Sequence, residues 1–312
     1  MNKNAKIFVA GHNGLVGSAV VRKLSALGYK NLLLRTHKEL DLTHQGAVDA
    51  FFAEQKPEFV VLAAAHVGGI LANSTHPAEF IYRNLAIQTN VIDAAYRNSV
   101  NRLVFLGSSC IYPKLAPQPL REEYLLSGPL EPTNDAYAIA KISGVKMCQA
   151  YNKQYGTAFV PVMPTNLYGP GDNFGLATSH VLPALIRKAH EAKENDSPLV
   201  VWGSGTPRRE FLHVDDLSTA IAMLLFKPDF NELVNIGTGE DVSIKELAEM
   251  VCEAVGFKGE VKFDASRPDG TPRKVLDVSK IHALGWKAEI SLKDGLADTY
   301  KWFLEHPDSS RR

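Results

Sequence analysis

The chain has little cysteine, no long apolar run and no surplus of either charge. Its three cysteines, Cys110, Cys148 and Cys252, are scattered, with no C-x-x-C pair and no Cys/His cluster of metal-ligand spacing. No metal is therefore expected, and a reducing, cytoplasmic compartment fits best. No stretch approaches the roughly 20 apolar residues that a membrane span needs. Lysine plus arginine and aspartate plus glutamate number 34 each. Without a basic excess or a charged tail, nothing points to nucleic acid as a partner. Met1 to Lys6 carry no apolar h-region, so no signal peptide is expected. Internal repeats, low-complexity tracts and flexible linkers are missing as well.

What is present reads as a soluble globular protein of 312 residues, 45% hydrophobic and 22% charged. Short apolar runs at Lys6–Ala10, Asn31–Arg35, Phe59–Ala65, Arg102–Gly107 and Phe159–Met163 read as strands. Helical segments separate them: one to about Leu27, then Asp49–Glu54, Pro77–Asn98 and Asp135–Tyr155. Strands alternating with helices predict a doubly wound parallel α/β sheet of the Rossmann type. Beyond Pro164 the pattern loosens. Helices are expected at Val181–Lys193, Asp215–Phe226, Ser243–Val255 and Leu292–Leu304, with strands at Leu199–Trp202 and Leu233–Ile236 and short strands after Lys258. Ser243 with Glu246 three residues on is a capping-box signal. Residues 1–170, with return segments near 210–240, are expected to form the dinucleotide-binding domain. Residues 171–209 and 241–312 would form a smaller α/β substrate domain packed against it.

Gly11-x-x-Gly14-x-x-Gly17 follows the first strand and opens a helix. Glycines there permit a tight turn and close approach of a pyrophosphate to the helix N-terminus. At the end of the second strand an acid would hold the ribose 2′-hydroxyl of NAD, whereas a cation accommodates the 2′-phosphate of NADP. Leu34-Arg35-Thr36-His37 offers no acid before Glu39, so Arg35, and His37 more weakly, favour NADP.

Tyr137 and Lys141 lie four apart in the helical segment Asp135–Tyr155 and so share a face. An ammonium beside a phenol lowers its pKa and readies it for proton transfer to a sugar oxygen. Ser108 or its neighbour Ser109 can hydrogen-bond the same oxygen. Cys110 is either a small core filler or a thiol able to take a proton from carbon next to a ketone. A strand alternates faces, so Cys110, two residues beyond Ser108, is expected to face the same pocket.

The glycine spacing, Ser108, Tyr137 and Lys141 together resemble the extended branch of the short-chain dehydrogenase/reductase superfamily. Within it, several runs resemble the GDP-L-fucose synthase family, the GDP-4-keto-6-deoxy-D-mannose 3,5-epimerase/4-reductases. They are Ala63–Gly69, Leu106-Gly-Ser-Ser-Cys-Ile-Tyr-Pro113, Glu131–Asn134, Pro164-Thr-Asn-Leu-Tyr-Gly-Pro170, Asp172–Phe174, Ser179-His-Val181, Trp202–Pro207 and Pro268–Lys274. The resemblance covers nearly the whole chain. It implies that Cys110 and His180 exchange the protons at C3 and C5, that Tyr137 protonates the oxygen at C4, and that Ser108 rather than Ser109 assists. Lys141 would also hold the nicotinamide ribose. Contacts to NADPH would fall on Gly11, His12, Asn13, Gly14, Leu15, Val16 and Gly17 in the first turn, on Arg35 and His37, and on Asp41 and Leu42 at the adenine edge. Further contacts would come from Leu106, Gly107, Ser108 and Ser109, from Pro164, Thr165, Asn166 and Leu167, and from Lys141 and His180. GDP contacts would fall on Lys188, Trp202, Arg209 and Asp269. Asn13 and His37 stand where some family members carry arginine. A homodimer through helices of the sheet domain is implied too. Two other readings stay open: another nucleotide-sugar epimerase or reductase of this class, and a redox-sensing protein that binds NADP as a ligand.

Overall fold

The computed structural model describes residues 2–176, 178–267 and 269–307. Pro268, the first residue of the run ending at Lys274, lies outside them. In chain order the first half comprises β1 (Ile7–Ala10), α1 (Leu15–Ala26), β2 (Leu32–Leu33), α2 (Gln45–Gln55), β3 (Phe59–Leu62), α3 (Ile70–Thr75), α4 (Pro77–Arg97), β4 (Arg102–Leu106), α5 (Asp135–Tyr155) and β5 (Phe159–Pro164). The second half comprises β6 (Asn166–Tyr168), α6 (Val181–Glu194), β7 (Leu199–Trp202), β8 (Arg208–Arg209), β9 (Phe211–His213), α7 (Val214–Leu225), β10 (Val234–Ile236), β11 (Val242–Ser243), α8 (Ile244–Val255), β12 (Val261–Asp264), β13 (Arg273–Lys274), α9 (Ser279–Ala283) and α10 (Leu292–Glu305).

Six strands form one parallel sheet in the order β10-β5-β4-β3-β1-β2. Its middle strands read as unbroken apolar runs because both faces are covered. Alternate residues of β1 show this directly. Ile7 and Val9 join a core built with Val20 and Leu24 of α1 and Leu217 and Ile221 of α7. Phe8 and Ala10 join the opposite core, with Phe52 of α2, Ile92 of α4 and Val145 of α5. Strand order reverses between β1 and β3. In such sheets ligands lie beyond the carboxyl ends of the strands at that reversal.

A third core packs α6, α8 and α10 around Leu199 and Val201 of β7 and Phe211 of β9. Small sheets tie this part to the rest: β6 with β9, β7 with β12, and β8 between β11 and β13. The capping box at α8 is present in full, with the Ser243 hydroxyl accepting from Glu246 N–H and the Glu246 carboxylate accepting from Ser243 N–H. The second strand is shorter than expected, only Leu32–Leu33. Helix α3 and strands β6, β8 and β9 carried no sequence signal of their own.

Candidate active site

The first turn leaves the chain at the carboxyl end of β1. Gly11 has φ +84°, and a Cβ on it would stand 2.7 Å from Ala64 N, at the end of β3. A Cβ on Gly17 would fall 2.1 Å from Gly11 O. The turn is thus closed to side chains, and this brings backbone to the reversal crevice. Gly14 precedes α1 without any side-chain cap, and no acid occupies the first turn. The N–H groups of that turn therefore keep their donors and the dipole its positive end. Such a cradle fits a dinucleotide pyrophosphate.

At the end of β2, Arg35 is half-buried, lies over the Phe51 ring and donates to the Leu34 carbonyl. Glu39, the nearest acid, accepts from Thr36 N–H and from its hydroxyl. Its oxygens close a local turn, leaving Arg35 as the cation at the strand end. His37 is more exposed and stands 3.7 Å from the Asp41 carboxylate. Asp41 in turn accepts from Thr43. The NADP expectation therefore rests on Arg35 more than on His37.

Tyr137 and Lys141 do share one face of α5, with the ammonium 5.8 Å from the phenol ring centre. Lys141 Nζ donates to the Leu106 carbonyl at 2.8 Å, which fixes it at the end of β4. The expected lowering of the tyrosine pKa is not found. Burial pushes the phenol well up, Cys110 adding to the effect, and pulls Lys141 down to about 8. Tyr137 is therefore held as a proton donor.

Ser108 and Cys110 meet for a different reason than expected. Strand β4 ends at Leu106, so face alternation does not reach them. Ser108 instead caps a single 3₁₀ turn, Ser109–Ile111, its hydroxyl accepting from Cys110 N–H at 3.4 Å. That hydroxyl also favours the ionised forms of the Tyr137 phenol and the Cys110 thiol, against the burial that raises both. Ser109 is buried under the turn, which favours Ser108 as the working hydroxyl. Burial raises the Cys110 pKa.

His180 is the N-cap of α6, 70 residues beyond Cys110 in sequence. The loop before it is tied to the Ala63–Gly69 segment, Gly69 N–H donating to the Thr178 carbonyl at 3.2 Å. Desolvation and the charge of Lys274 both hold its pKa down. The residue as a whole is exposed.

The four residues implied in GDP binding come together. Lys188 stands 4.5 Å over the Trp202 ring, whose side chain is 54% exposed and available for stacking. Arg209 reaches the Asp269 carbonyl at 3.5 Å. The Asp269 carboxylate accepts from Ser204 N–H and hydroxyl, against the turn that follows Trp202. Two residues that were not singled out join them. Arg267 also stands over Trp202, at 4.8 Å. Lys274 lines the cavity that holds Cys110. The signal for Lys274 was its place at the end of a resembling run; nothing marked Arg267. Asn166 and Thr165 both donate to the Glu210 carbonyl, so their side chains serve the fold at least in part.

The NAD dependent epimerase/dehydratase family model matches residues 7–237. The chain is 60% identical to "Probable GDP-L-fucose synthase 1" of Oryza sativa subsp. japonica, covering 100% of this chain and 95% of that protein. It is 56% identical to GDP-L-fucose synthase of Escherichia coli (strain K12), covering 98% of each. Among solved structures, a GDP-mannoheptose C4 reductase from Campylobacter jejuni with NADP bound superposes with a TM-score of 0.90 at 45% identity, covering 97% of this chain and 99% of that one.

Proposed function

The chain belongs to the NAD dependent epimerase/dehydratase family, and we propose that within it the protein is an NADPH-dependent GDP-L-fucose synthase. It converts GDP-4-keto-6-deoxy-D-mannose by 3,5-epimerisation and then 4-keto reduction. The observation that carries this reading is the thiol. Cys110 joins Ser108 and Tyr137 at one point, where a plain reductase needs only the hydroxyl pair and Lys141.

The protons at C3 and C5 are acidic because each flanks the C4 ketone, and loss of either gives an enolate. Cys110 and His180 take and return those protons. Ser108 hydrogen-bonds the C4 oxygen, and Tyr137, a phenol at neutral pH, donates the proton that completes the alcohol. Lys141 stays fixed to the Leu106 carbonyl and supplies positive charge beside them. NADPH, held by the Gly11–Gly17 turn and Arg35, supplies the hydride for C4. Lys188 and Arg209 neutralise the diphosphate, Trp202 stacks on the base, and Asp269 accepts from the guanine N–H groups.

The same proposal assigns residues 1–170, with the return near 210–240, to NADP, and residues 171–209 and 241–312 to the nucleotide sugar. It includes a homodimer through α4 and α5, supported by exposed Tyr82, Ile139 and Tyr155 on those helices. A reducing, cytoplasmic setting is supported by three unpaired cysteines. Incubation with GDP-4-keto-6-deoxymannose and NADPH in deuterated water tests the reading. GDP-L-fucose carrying deuterium at C3 and C5 is expected. Reduced product without deuterium would make the protein a simple C4 reductase.

A further inference from the structure

We propose that Lys274 is a positioning residue of the epimerisation site, its ammonium standing in one small cavity with the Cys110 thiol to favour the thiolate. The inference rests on the epimerase reading for its consequence, but the geometry stands apart from it.

Strand β13 pairs in parallel with β8, setting Lys274 opposite Arg209. Its carbonyl accepts from Glu210 N–H at 3.3 Å, which pins the backbone. The side chain lines the same cavity as Cys110. Its charge favours the Cys110 thiolate and disfavours the His180 imidazolium, while burial pulls its own pKa down. Among the described residues the ammonium has no hydrogen bond or ion pair of its own; it feels Cys110, Arg209 and Glu210 only through space.

The other charges around this cavity are committed elsewhere. Lys114 is paired with Glu131 at 3.0 Å. Arg273 is paired with Asp241. Lys141, on α5, is bound to the Leu106 carbonyl and acts on Cys110 less than Lys274 does. Tyr137 and Ser108 face the thiol uncharged. Glu210 is fully buried, and its carboxylate accepts from the N–H groups of Gly239 and Leu276. Arg209 repels Lys274 and reaches the Asp269 carbonyl. Lys274 is thus the uncommitted cation of this cavity among the described residues.

A cation favours a thiolate and disfavours an imidazolium. Burial weakens the thiol as an acid, and the ammonium works against that. Under the same charge, His180 stays neutral and gives up readily any proton it takes. Both effects suit groups that must pass protons to and from carbon within one turnover.

The test needs no substrate. In a Cys252→Ser background, Cys110 is alkylated with iodoacetamide across pH and read by mass spectrometry, Cys148 being fully buried. The His180 ring protons are titrated by nuclear magnetic resonance. Lys274→Gln is expected to raise both midpoints, each by about one pH unit, and Lys274→Arg to restore them. GDP affinity is measured on the same samples. Unmoved midpoints, or a loss of GDP affinity alone, would overturn the assignment whatever the substrate proves to be. With substrate, C3 and C5 exchange at pH 7 should slow at least about tenfold in Lys274→Gln and recover towards higher pH, as expected when a thiolate is lost by about one unit. Exchange at the wild-type rate would equally overturn it. Failure to form GDP-L-fucose with midpoints that do move would instead count against the functional reading.

Discussion

Tyr137 enters the reaction as a phenol, because burial raises its pKa while Lys141 is tied to a carbonyl rather than to the ring oxygen. In the proposed reaction its part is then proton donation at C4 and not proton removal at C3 or C5. Tyr137→Phe should lower NADPH oxidation by roughly 10²–10⁴-fold, the range for a lost general acid. Exchange of C3 and C5 protons with deuterated water should continue. If both fall together, the division of labour is wrong. Cys110→Ser should show the converse: it keeps shape and replaces the thiol with a far weaker acid, so deuterium incorporation collapses while NADPH and GDP binding persist. The meeting of these residues was legible in the sequence, but the reasons given for it needed correcting. The pair spacing located Lys141 and could not show that the Leu106 carbonyl would claim it. Arg35 belongs to the same scale. Arg35→Ala should weaken NADPH binding by about 1.5–3 kcal/mol, the worth of a charge-assisted hydrogen bond, and leave NADH nearly untouched. Equal losses in calorimetric titrations with the two cofactors would refute the NADP preference.

At the scale of elements, what the sequence announced is what carries its own local chemistry. Helix α5 begins and ends at the residues expected, Asp135 and Tyr155, and its C-cap is Gly156 in the left-handed region at φ +67°. Helix α8 follows its capping box. Ser243→Ala removes the acceptor for Glu246 N–H and should destabilise the protein by about 1 kcal/mol, read as a lower denaturant midpoint with an unchanged slope. An unshifted midpoint would mean that α8 is held by its packing against α6 and α10 alone. The elements that went unread exist only through partners. Strands β6 and β9 are three residues each and form because Asn166, Leu167 and Tyr168 align with Phe211, Leu212 and His213. Helix α3 is six residues of mostly poor helix formers; the Asn73 amide bridging the Gly68 and Gly69 carbonyls holds its start. The turn that brings Cys110 to Ser108 is of the same kind, too short to show periodicity. Long-range pairing of this sort leaves no trace in spacing or amphipathicity.

The whole molecule is a sheet with two covered faces and a third core leaning on it, and the site lies where their connections run. Glu210 is the join. It sits between β8 and β9 and is fully buried, with no ion-pair partner among the described residues. One carboxylate oxygen accepts from Gly239 N–H at 2.8 Å and the other from Leu276 N–H at 2.9 Å, while its own carbonyl accepts from Thr165 and Asn166. One side chain therefore ties the segment after β10 and the chain leaving β13 to the end of the central sheet. Arg209 and Lys274 flank it, so the register of β8 with β13, and with it the reach of Lys274 towards Cys110, depends on this carboxylate. Glu210→Ala would leave the buried Leu276 N–H unpaired, at about 1–3 kcal/mol, while the N–H of the exposed Gly239 turns to water. The expected result is a loss of roughly 1–3 kcal/mol in unfolding free energy, with the remaining folded protein impaired in proton exchange more than in NADPH binding, since none of the Glu210 partners belongs to the Gly11–Gly17 turn. Glu210→Gln keeps one acceptor and should lose about half as much. A Glu210→Ala protein with wild-type stability and exchange rate would show that the backbone pairing of β8 and β13 holds the site without its carboxylate anchor.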